Sequence, residues 1–262
     1  MIPAPAITAW GVNRPWPNPA AIEQDLLLAQ AIVEIYRHPV LAKELVFRGG
    51  TCLHQVHLGT PRRYSEDLDF VRRTHTPIGP VLDALRDVAE QLEMEVYGRD
   101  IGTHPKMKFR ARATHDASIR LRVKVEINTY ETSPATELVV VPFQVDSPGY
   151  FTGSAEVLTF APAELVATKI RALYQRKKGR DLFDLWLALT EMGTAPADIL
   201  ACFGPYRPDA PYDSARAITN LREKLTDRAF AEDLEPLVAS WPDGYDVRTA
   251  GERVISDLLM HL

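Results

Sequence analysis

Two aspartates and a glycine-rich turn are the residues of this chain whose types and spacing could do chemistry. Asp67 and Asp69 stand at positions i and i+2 of a stretch, 67–71, whose apolar residues are typical of a β-strand. Because side chains alternate along a strand, both carboxylates are expected on one face. Carboxylate oxygens are ligands for a hard cation such as Mg²⁺, which proteins hold with one or two carboxylates together with substrate phosphates.

The glycine-rich turn consists of Gly49, Gly50 and Thr51 and follows a short apolar strand at 45–47. At the start of a helix, such a turn presents backbone N–H groups to phosphate oxygens. Alone, Gly-Gly-Thr is more often a plain turn, and a lone Asp-x-Asp pair is usually a solvated strand edge. Together they predict a metal-dependent site for a nucleoside triphosphate, with Ser65 as a further phosphate-binding residue.

Glu126 is the third acidic candidate. It is the only acid on the polar face of a predicted strand over 119–127, where apolar residues alternate with cations. The carboxylate either pairs with Arg110 or Arg122, or completes a metal-binding trio with the two aspartates. Such a trio supports nucleotidyl transfer, in which charge develops on both the attacking and the leaving oxygen, and the third acid would help to deprotonate the acceptor hydroxyl.

A lysine and two aspartates on successive predicted helices form a second candidate group. Lys169 lies among apolar residues of its helix, and Asp181 and Asp184 stand at i and i+3 on one face of the next. These charges are either surface ion pairs, which contribute little stability, or a site in which Lys169 contacts the triphosphate while an aspartate orients it.

Positive charge is concentrated locally in this chain, most clearly over residues 106–124. The formal net charge is -5 over 262 residues, which argues against a globally basic nucleic-acid binder. The segment from residue 106 to residue 124, however, contains seven Lys and Arg residues and only one acidic residue, Asp116. A local basic face on an acidic protein suits a phosphate-bearing substrate, although such a run is usually a solvated face.

The bulk composition excludes several classes of protein. With 46% hydrophobic and 25% charged residues, the chain can bury a full core. No apolar run reaches the roughly 18 residues needed to span a bilayer, and the proline-rich start does not resemble a signal peptide. Cys52 and Cys202 lie far apart in sequence, as expected for two reduced thiols of a cytoplasmic protein.

The helix signals of the first half begin at Asn18-Pro19, an N-cap followed by proline in the first turn. Pro39 closes this helix, the glycine-rich turn is expected to lead into a helix that ends near His57, and Pro77 opens a second amphipathic helix.

The strand pattern follows and then gives way to helices. Alternating residues predict strands near 107–112 and 119–127, and a third at 138–145 that is an edge strand because it contains Pro142. Residues 146–153 are expected to form a turn-rich connection, and the pattern is helical from 161 onward. This order predicts an α/β domain at 1–157 and a mostly α-helical domain at 158–262.

The motifs, taken together and in this order, resemble the nucleotidyltransferase AbiEii/AbiGii toxin family over residues 20–190. Arg48 stands where a lysine is common in that family. The segments that carry the resemblance are Phe47-Arg48-Gly49-Gly50-Thr51-Cys52-Leu53, Arg63-Tyr64-Ser65-Glu66-Asp67-Leu68-Asp69-Phe70, Lys106–Arg112, Val125–Asn128, Ala167–Ala172 and Gly179–Leu185.

The resemblance implies a DNA polymerase β-like nucleotidyltransferase fold for the α/β domain, an NTP as substrate, and Mg²⁺ or Mn²⁺ as the metal. The expected catalytic residues are Asp67, Asp69, Glu126, Lys169 and Asp184, the first three of them also as metal ligands. The expected nucleotide-binding residues are Gly49, Gly50, Thr51, Ser65, Lys169 and Asp181. The residues expected to bind RNA are Lys106, Lys108, Arg110, Arg112 and Arg122.

The expected function is that of a toxin, monomeric, which transfers NMP from an NTP to an RNA acceptor and so blocks translation. In related toxins the acceptor is the 3′ end of tRNA, and the resemblance also implies a cognate antitoxin. Some toxins of the family are silenced by phosphorylation of a serine in the segment that contains Ser65. The alternatives are transfer to a small molecule or a protein, and a catalytically silent nucleotide-binding module.

Overall fold

The computed structural model describes residues 1–14, 16–208 and 211–262. Its chain divides into two compact units, which we describe separately. The sheet unit comprises Met1–Ser133 and Leu138–Phe160, and the helical unit comprises Pro134–Glu137 and Ala161–Leu262. No helix among the described residues is both long and apolar enough to cross a membrane.

Seven strands of the sheet unit form one mixed sheet. In chain order they are β1 (Leu45–Arg48), β2 (Asp67–Arg72), β3 (Glu95–Asp100), β4 (Lys106–Arg112), β5 (Arg120–Asn128), β6 (Val139–Ser147) and β7 (Phe151–Thr159). Their order in the sheet is β3-β4-β5-β2-β1-β7-β6. β2 pairs antiparallel with β1 and parallel with β5, so the strand with the two aspartates is the central one.

The helices of the sheet unit follow from clear local signals. They are α1 (Ala4–Gly11), α2 (Pro19–Arg37), α3 (Pro39–Glu44), α4 (Gly49–Cys52), a π-helix (Leu53–His57) and α5 (Gly79–Gln91). The Asn18 side chain caps α2 by accepting a hydrogen bond from the Ala21 N–H at 2.9 Å. Apolar residues of α2 such as Leu26 and Ile32 are fully buried, as expected of the apolar face of an amphipathic helix.

The core of the sheet unit contains the apolar residues that flank the aspartates. Phe47 of β1 and Phe70 of β2 are buried, and their rings stack with centroids 5.0 Å apart. Leu68, between the two aspartates, is also fully buried. The alternation therefore anchors β2 by its apolar residues and leaves both carboxylates on the other face.

The helical unit contains six α-helices in its described part. They are α6 (Pro162–Gln175), α7 (Gly179–Thr190), α8 (Pro196–Cys202), α9 (Ser214–Leu225), α10 (Arg228–Glu232) and α11 (Val247–Asp257). The buried Glu164 carboxylate accepts hydrogen bonds from the Ala135 and Thr136 N–H groups and from the Tyr206 hydroxyl. These contacts explain why 134–137, between two strands of the sheet in sequence, belongs to the helical unit.

The predicted mixed α/β region followed by helices is confirmed, and the strand containing Pro142, β6, is an edge strand as predicted. Two strands were not predicted, β3 and β7. The prediction of a turn-rich connection over 146–153 was wrong, because β6 continues to Ser147 and β7 begins at Phe151. Gly153, read as a turn residue, allows close packing instead: an added Cβ would lie 2.7 Å from the Phe151 ring.

Candidate active site

Asp69 is part of a row of charged residues that crosses four strands. It is opposite Arg48 of β1 and Glu126 of β5, and Glu126 is in turn opposite Lys106 of β4. Residues directly opposite each other on neighbouring strands point to the same face. The register therefore gathers two acids, with a cation at each end, on the polar face of the sheet.

Asp67 belongs to the next row, opposite Lys124. The Lys124 Nζ atom lies 2.8 Å from Asp67 Oδ2 and 2.9 Å from Glu126 Oε1, and Lys106 Nζ lies 3.2 Å from the same Glu126 oxygen. The alternative prediction, that Glu126 pairs with Arg110 or Arg122, was therefore wrong. The partners of Glu126 are Lys106 and Lys124.

These contacts favour the charged forms of Lys124 and Glu126. Burial acts to lower the pKa of Lys124, but the hydrogen bonds to Asp67 and Glu126 outweigh it and raise that pKa well above its ordinary value. Burial acts to raise the pKa of Glu126, but Lys124 and Lys106 lower it. Glu126 is thus an ionised carboxylate, which is the form that holds a cation.

A cation is held between two of these acids, and it is an ammonium. Among the residues that the structure describes, no three acidic, His or Cys side chains are placed together to hold a metal ion. The Lys124 ammonium lies between Asp67 and Glu126. The oxygen donors suit a hard cation, but the trio of Asp67, Asp69 and Glu126 is not assembled around one point, and its role as a metal site stays a prediction.

Gly49 and Gly50 make room for two charged side chains. Gly49 has φ +83°, and a Cβ added there would lie 2.3 Å from Asp69 Oδ2. A Cβ on Gly50 would lie 2.4 Å from Arg63 Nη2. Glycine is therefore required at the first position by the backbone conformation and at both by close approach.

Thr51 connects the turn to the start of β2. Its hydroxyl donates to the Asp67 carbonyl at 2.5 Å and lies 2.9 Å from the Ser65 hydroxyl. Thr51 is buried, and Ser65 lies in the loop that precedes β2. Both hydroxyls thus hold the loop in place, and their predicted phosphate contacts, like phosphorylation of Ser65, stay predictions.

Arg63 is a site residue that the sequence analysis did not select. Its side chain is only 3% exposed, Nη2 lies against Gly50, and Nη1 donates to the Tyr64 carbonyl at 3.1 Å. The neighbouring Arg62 is exposed. No local signal separates two adjacent arginines, because only the packing of the loop on the glycine turn decides which one is buried.

Glu131 is the second missed residue. Its Oε2 atom lies 2.5 Å from Arg48 Nη1, and both side chains are largely buried. The Asn128 side chain accepts hydrogen bonds from the Tyr130 and Glu131 N–H groups, both at 2.9 Å, and so turns the chain back after β5. This turn fixes the guanidinium of Arg48 beside the row of acids.

The basic segment forms one face of two adjacent strands. Lys108 is opposite Lys124, Arg110 opposite Arg122, and Arg112 opposite Arg120. Arg110 pairs with Glu95 through two contacts, 2.9 and 3.1 Å. Within the described ranges, the side chains of Lys108, Arg112 and Arg122 make no hydrogen bond or ion pair and are exposed, which leaves them available to phosphate.

Lys169, Asp181 and Asp184 form a buried cluster within the helical unit. Lys169 Nζ lies 2.8 Å from Asp184 Oδ2 and 3.6 Å from Asp181 Oδ1, and Arg176 Nη2 lies 2.7 Å from Asp181 Oδ1. The interpretation of these three charges as surface ion pairs was wrong, since the lysine and both aspartates are at most 6% exposed. Burying such charges carries a desolvation penalty, and Asp181 Oδ2 is buried without a hydrogen-bond partner among the described residues.

Comparison with known families agrees with this geometry. A family model described as the nucleotidyl transferase AbiEii toxin of type IV toxin–antitoxin systems matches residues 31–253. The chain belongs to this family. As an AbiEii protein it is a nucleotidyltransferase toxin, its substrate is an NTP, and its partner is an antitoxin.

Two solved structures are similar to this AbiEii chain, and the first of them shares its fold. The crystal structure of JHP933 from Helicobacter pylori is 17% identical over 90% of this chain and 89% of that one, with a TM-score of 0.53. The nucleotidyltransferase toxin MenT4 from Mycobacterium tuberculosis is 20% identical over 100% of this chain and 99% of that one, with a TM-score of 0.49. No protein with a curated description matches the sequence.

Proposed function

We propose that this toxin transfers a nucleotide from an NTP to an RNA acceptor, with the 3′ end of tRNA as the specific candidate, and thereby blocks translation. The observation that carries the proposal is the continuity of the polar sheet face. The carboxylates of Asp67, Asp69 and Glu126 share that face with the exposed cations of β4 and β5. A strip of cations that leads to a group of acids suits a phosphate backbone whose end is the reacting group.

The reaction is proposed to depend on Mg²⁺ or Mn²⁺, held by Asp67 and Asp69 with Glu126. The ionised carboxylate of Glu126, and the space that Gly49 leaves for Asp69, support this assignment. When bound, such an ion neutralises phosphate charge and lowers the pKa of the acceptor hydroxyl. Lys124 would have to leave Asp67 for the carboxylates to take up the ion, and the neighbouring NTP phosphates offer it a new partner.

The remaining roles follow the charges. Gly49, Gly50, Thr51 and Ser65 are proposed to lie along the triphosphate, and the buried guanidinium of Arg63 beside Gly50 adds positive charge there. Glu126 is proposed to accept the proton of the acceptor hydroxyl. Such a group raises the rate only if it is ionised before the reaction, as Glu126 is.

In the helical unit, Lys169 is proposed to contact triphosphate oxygens. Asp184 would hold its ammonium and Asp181 would assist. The support is the burial of one lysine with two aspartates, an arrangement that costs free energy and is often retained for function.

The test is nucleotide incorporation into RNA. Purified protein is incubated with total RNA and each labelled NTP in turn, with and without Mg²⁺, and the labelled species are sequenced. We expect label at tRNA 3′ ends, and loss of label with Asp67→Asn or Asp69→Asn. Both variants are expected to stay folded, because the Asp67 and Asp69 side chains are partly exposed and lie outside the apolar core.

Asp146→Asn is the matched control, because Asp146 is an exposed acid of the edge strand β6. It should label RNA as the wild type does. Full activity of either Asp67 or Asp69 variant would contradict the site, and label on proteins or small molecules alone would contradict the RNA acceptor.

A further inference from the structure

An exposed aromatic residue follows the strand that carries Glu126 and has no role in the site as described so far. Tyr130 follows β5 by two residues and is 64% exposed. Within the described residues its hydroxyl makes no hydrogen bond. Its ring meets the His104 ring edge-on, with centroids 5.7 Å apart.

The position of Tyr130 is fixed by contacts on both sides. Its own N–H and that of Glu131 donate to the Asn128 side chain. Glu131 binds Arg48, which is opposite Asp69 in the sheet. Tyr130 therefore directly precedes Glu131, which Arg48 holds beside the row that contains Asp69 and Glu126.

The loop that carries His104 is held to the same end of β5. The Ile127 N–H donates to the Pro105 carbonyl at 2.9 Å, and the Thr129 hydroxyl donates to the Thr103 carbonyl at 3.2 Å. Lys106, which binds Glu126, begins β4 directly after this loop. Two rings are thus presented at the rim of the site, beside a lysine.

A single exposed tyrosine is common on protein surfaces. A fixed aromatic ring beside cations is the arrangement on which single-stranded nucleic acids stack their bases, because every base has an aromatic face and its phosphates need positive charge. The exposed cations of β4 and β5 share the polar face with Lys106. The surroundings of Tyr130 therefore favour a nucleobase over an apolar protein side chain.

We infer that Tyr130, supported by His104, stacks on the unpaired base at the 3′ end of the RNA acceptor and so positions its terminal hydroxyl at the carboxylates. The inference rests on the proposed function and adds how the acceptor is recognised: by a single-stranded end, through the face of its last base. Tyr130 is thus a positioning residue for the acceptor and has no part in binding the NTP.

The test uses a single-stranded RNA oligonucleotide whose 3′-terminal base is 2-aminopurine, a fluorophore that is quenched when it stacks on an aromatic ring. Wild-type protein and Tyr130→Phe should quench it. Tyr130→Ala should not quench it, should bind the RNA about tenfold more weakly, which is typical of losing one stack, and should leave the KM for the NTP unchanged.

Tyr97→Ala is the matched control, because Tyr97 is an exposed tyrosine of β3 whose ring is covered by the Arg110 guanidinium at 5.7 Å. It should quench as the wild type does. Quenching and affinity unchanged in Tyr130→Ala, at an unchanged Tm, would overturn the inference, as would an effect on the KM for the NTP alone.

The incorporation assay and the oligonucleotide assay together distinguish failure of the proposed function from failure of the stacking role. If the wild type labels no RNA in the incorporation assay, the proposed RNA acceptor fails and the stacking role fails with it. If the wild type labels tRNA but neither binds nor extends the oligonucleotide, recognition of a single-stranded end alone fails. If the wild type extends it and Tyr130→Ala extends it equally well at every RNA concentration, only the stacking role fails.

Discussion

At the residue scale, the closest constraint is between Gly49 and Asp69. Any side chain at position 49 would have to adopt φ +83° and would meet the Asp69 carboxylate at 2.3 Å. Gly49 therefore supplies the backbone conformation of the turn and also leaves room for the Asp69 carboxylate, and the two effects can be separated by experiment.

We predict that Gly49→Ala abolishes nucleotide transfer and destabilises the protein by more than Gly149→Ala. Gly149 has φ +78° with no atom within 4 Å of an added Cβ, so Gly149→Ala measures the cost of the backbone conformation alone, about 1 kcal/mol. Urea unfolding and labelled-NTP incorporation are measured for both. Equal stabilities together with full activity of Gly49→Ala would show that Asp69 need not stay where it is.

At the element scale, β4 and β5 present cations of two kinds on one face. Arg110 is engaged by Glu95, whereas Lys108, Arg112 and Arg122 have no hydrogen bond or ion pair within the described ranges. The pair with Glu95 is exposed on both sides, and such pairs contribute little to stability. We therefore expect the paired and the unpaired cations to differ in their contribution to RNA binding and not in their contribution to stability.

We predict that Arg112→Gln and Arg122→Gln each weaken RNA binding and each lower the log–log salt slope by about one, because each removes one phosphate contact. Arg86→Gln is the control, since Arg86 lies on α5 and pairs with Asp83. Affinity is measured by titration over a range of salt concentrations. An unchanged slope in both strand variants would mean that this face is solvated and that RNA binds elsewhere.

At the scale of the whole sheet unit, one buried carboxylate joins three helical segments. Asp25 of α2 accepts hydrogen bonds from Trp10 of α1 at 2.8 Å and from Gln55 of the π-helix at 2.7 Å, and lies 3.2 Å from Arg14. Burial raises the pKa of Asp25 from 3.8 to about 6, although Arg14 and the hydrogen bonds act to lower it.

We predict that this carboxylate makes the protein less stable as pH rises from about 4 to about 7. A carboxyl whose pKa is raised by folding stabilises the folded state fully below its unfolded pKa, and that contribution is lost as pH rises through about 6. The expected change is roughly 3 kcal/mol. Urea unfolding of Asp25→Asn should lack this component, whereas the exposed-site variant Asp83→Asn should keep it. A pH dependence that is the same in all three proteins would contradict the assignment.

The sequence by itself determined the local elements and the identity of the acids. Asn18-Pro19 begins α2, alternation identifies β4 and β5, and the apolar residues around Asp67 and Asp69 define β2. These features follow from backbone preferences and side-chain periodicity over a few residues, which any such sequence carries with it. The family resemblance rested on the same short motifs.

Only the tertiary structure decided which charges meet. The register between β2 and β5 brings Glu126 beside Asp69, and it also brings Lys124 to the acids, which no pattern indicated. The burial of Arg63 and the contact between Glu131 and Arg48 depend on loops that pack from distant parts of the chain. β3 and β7 were missed because edge exposure and Gly153 weaken their alternation. Pairing partners and register depend on contacts between residues far apart in sequence, and a local pattern carries no information about them.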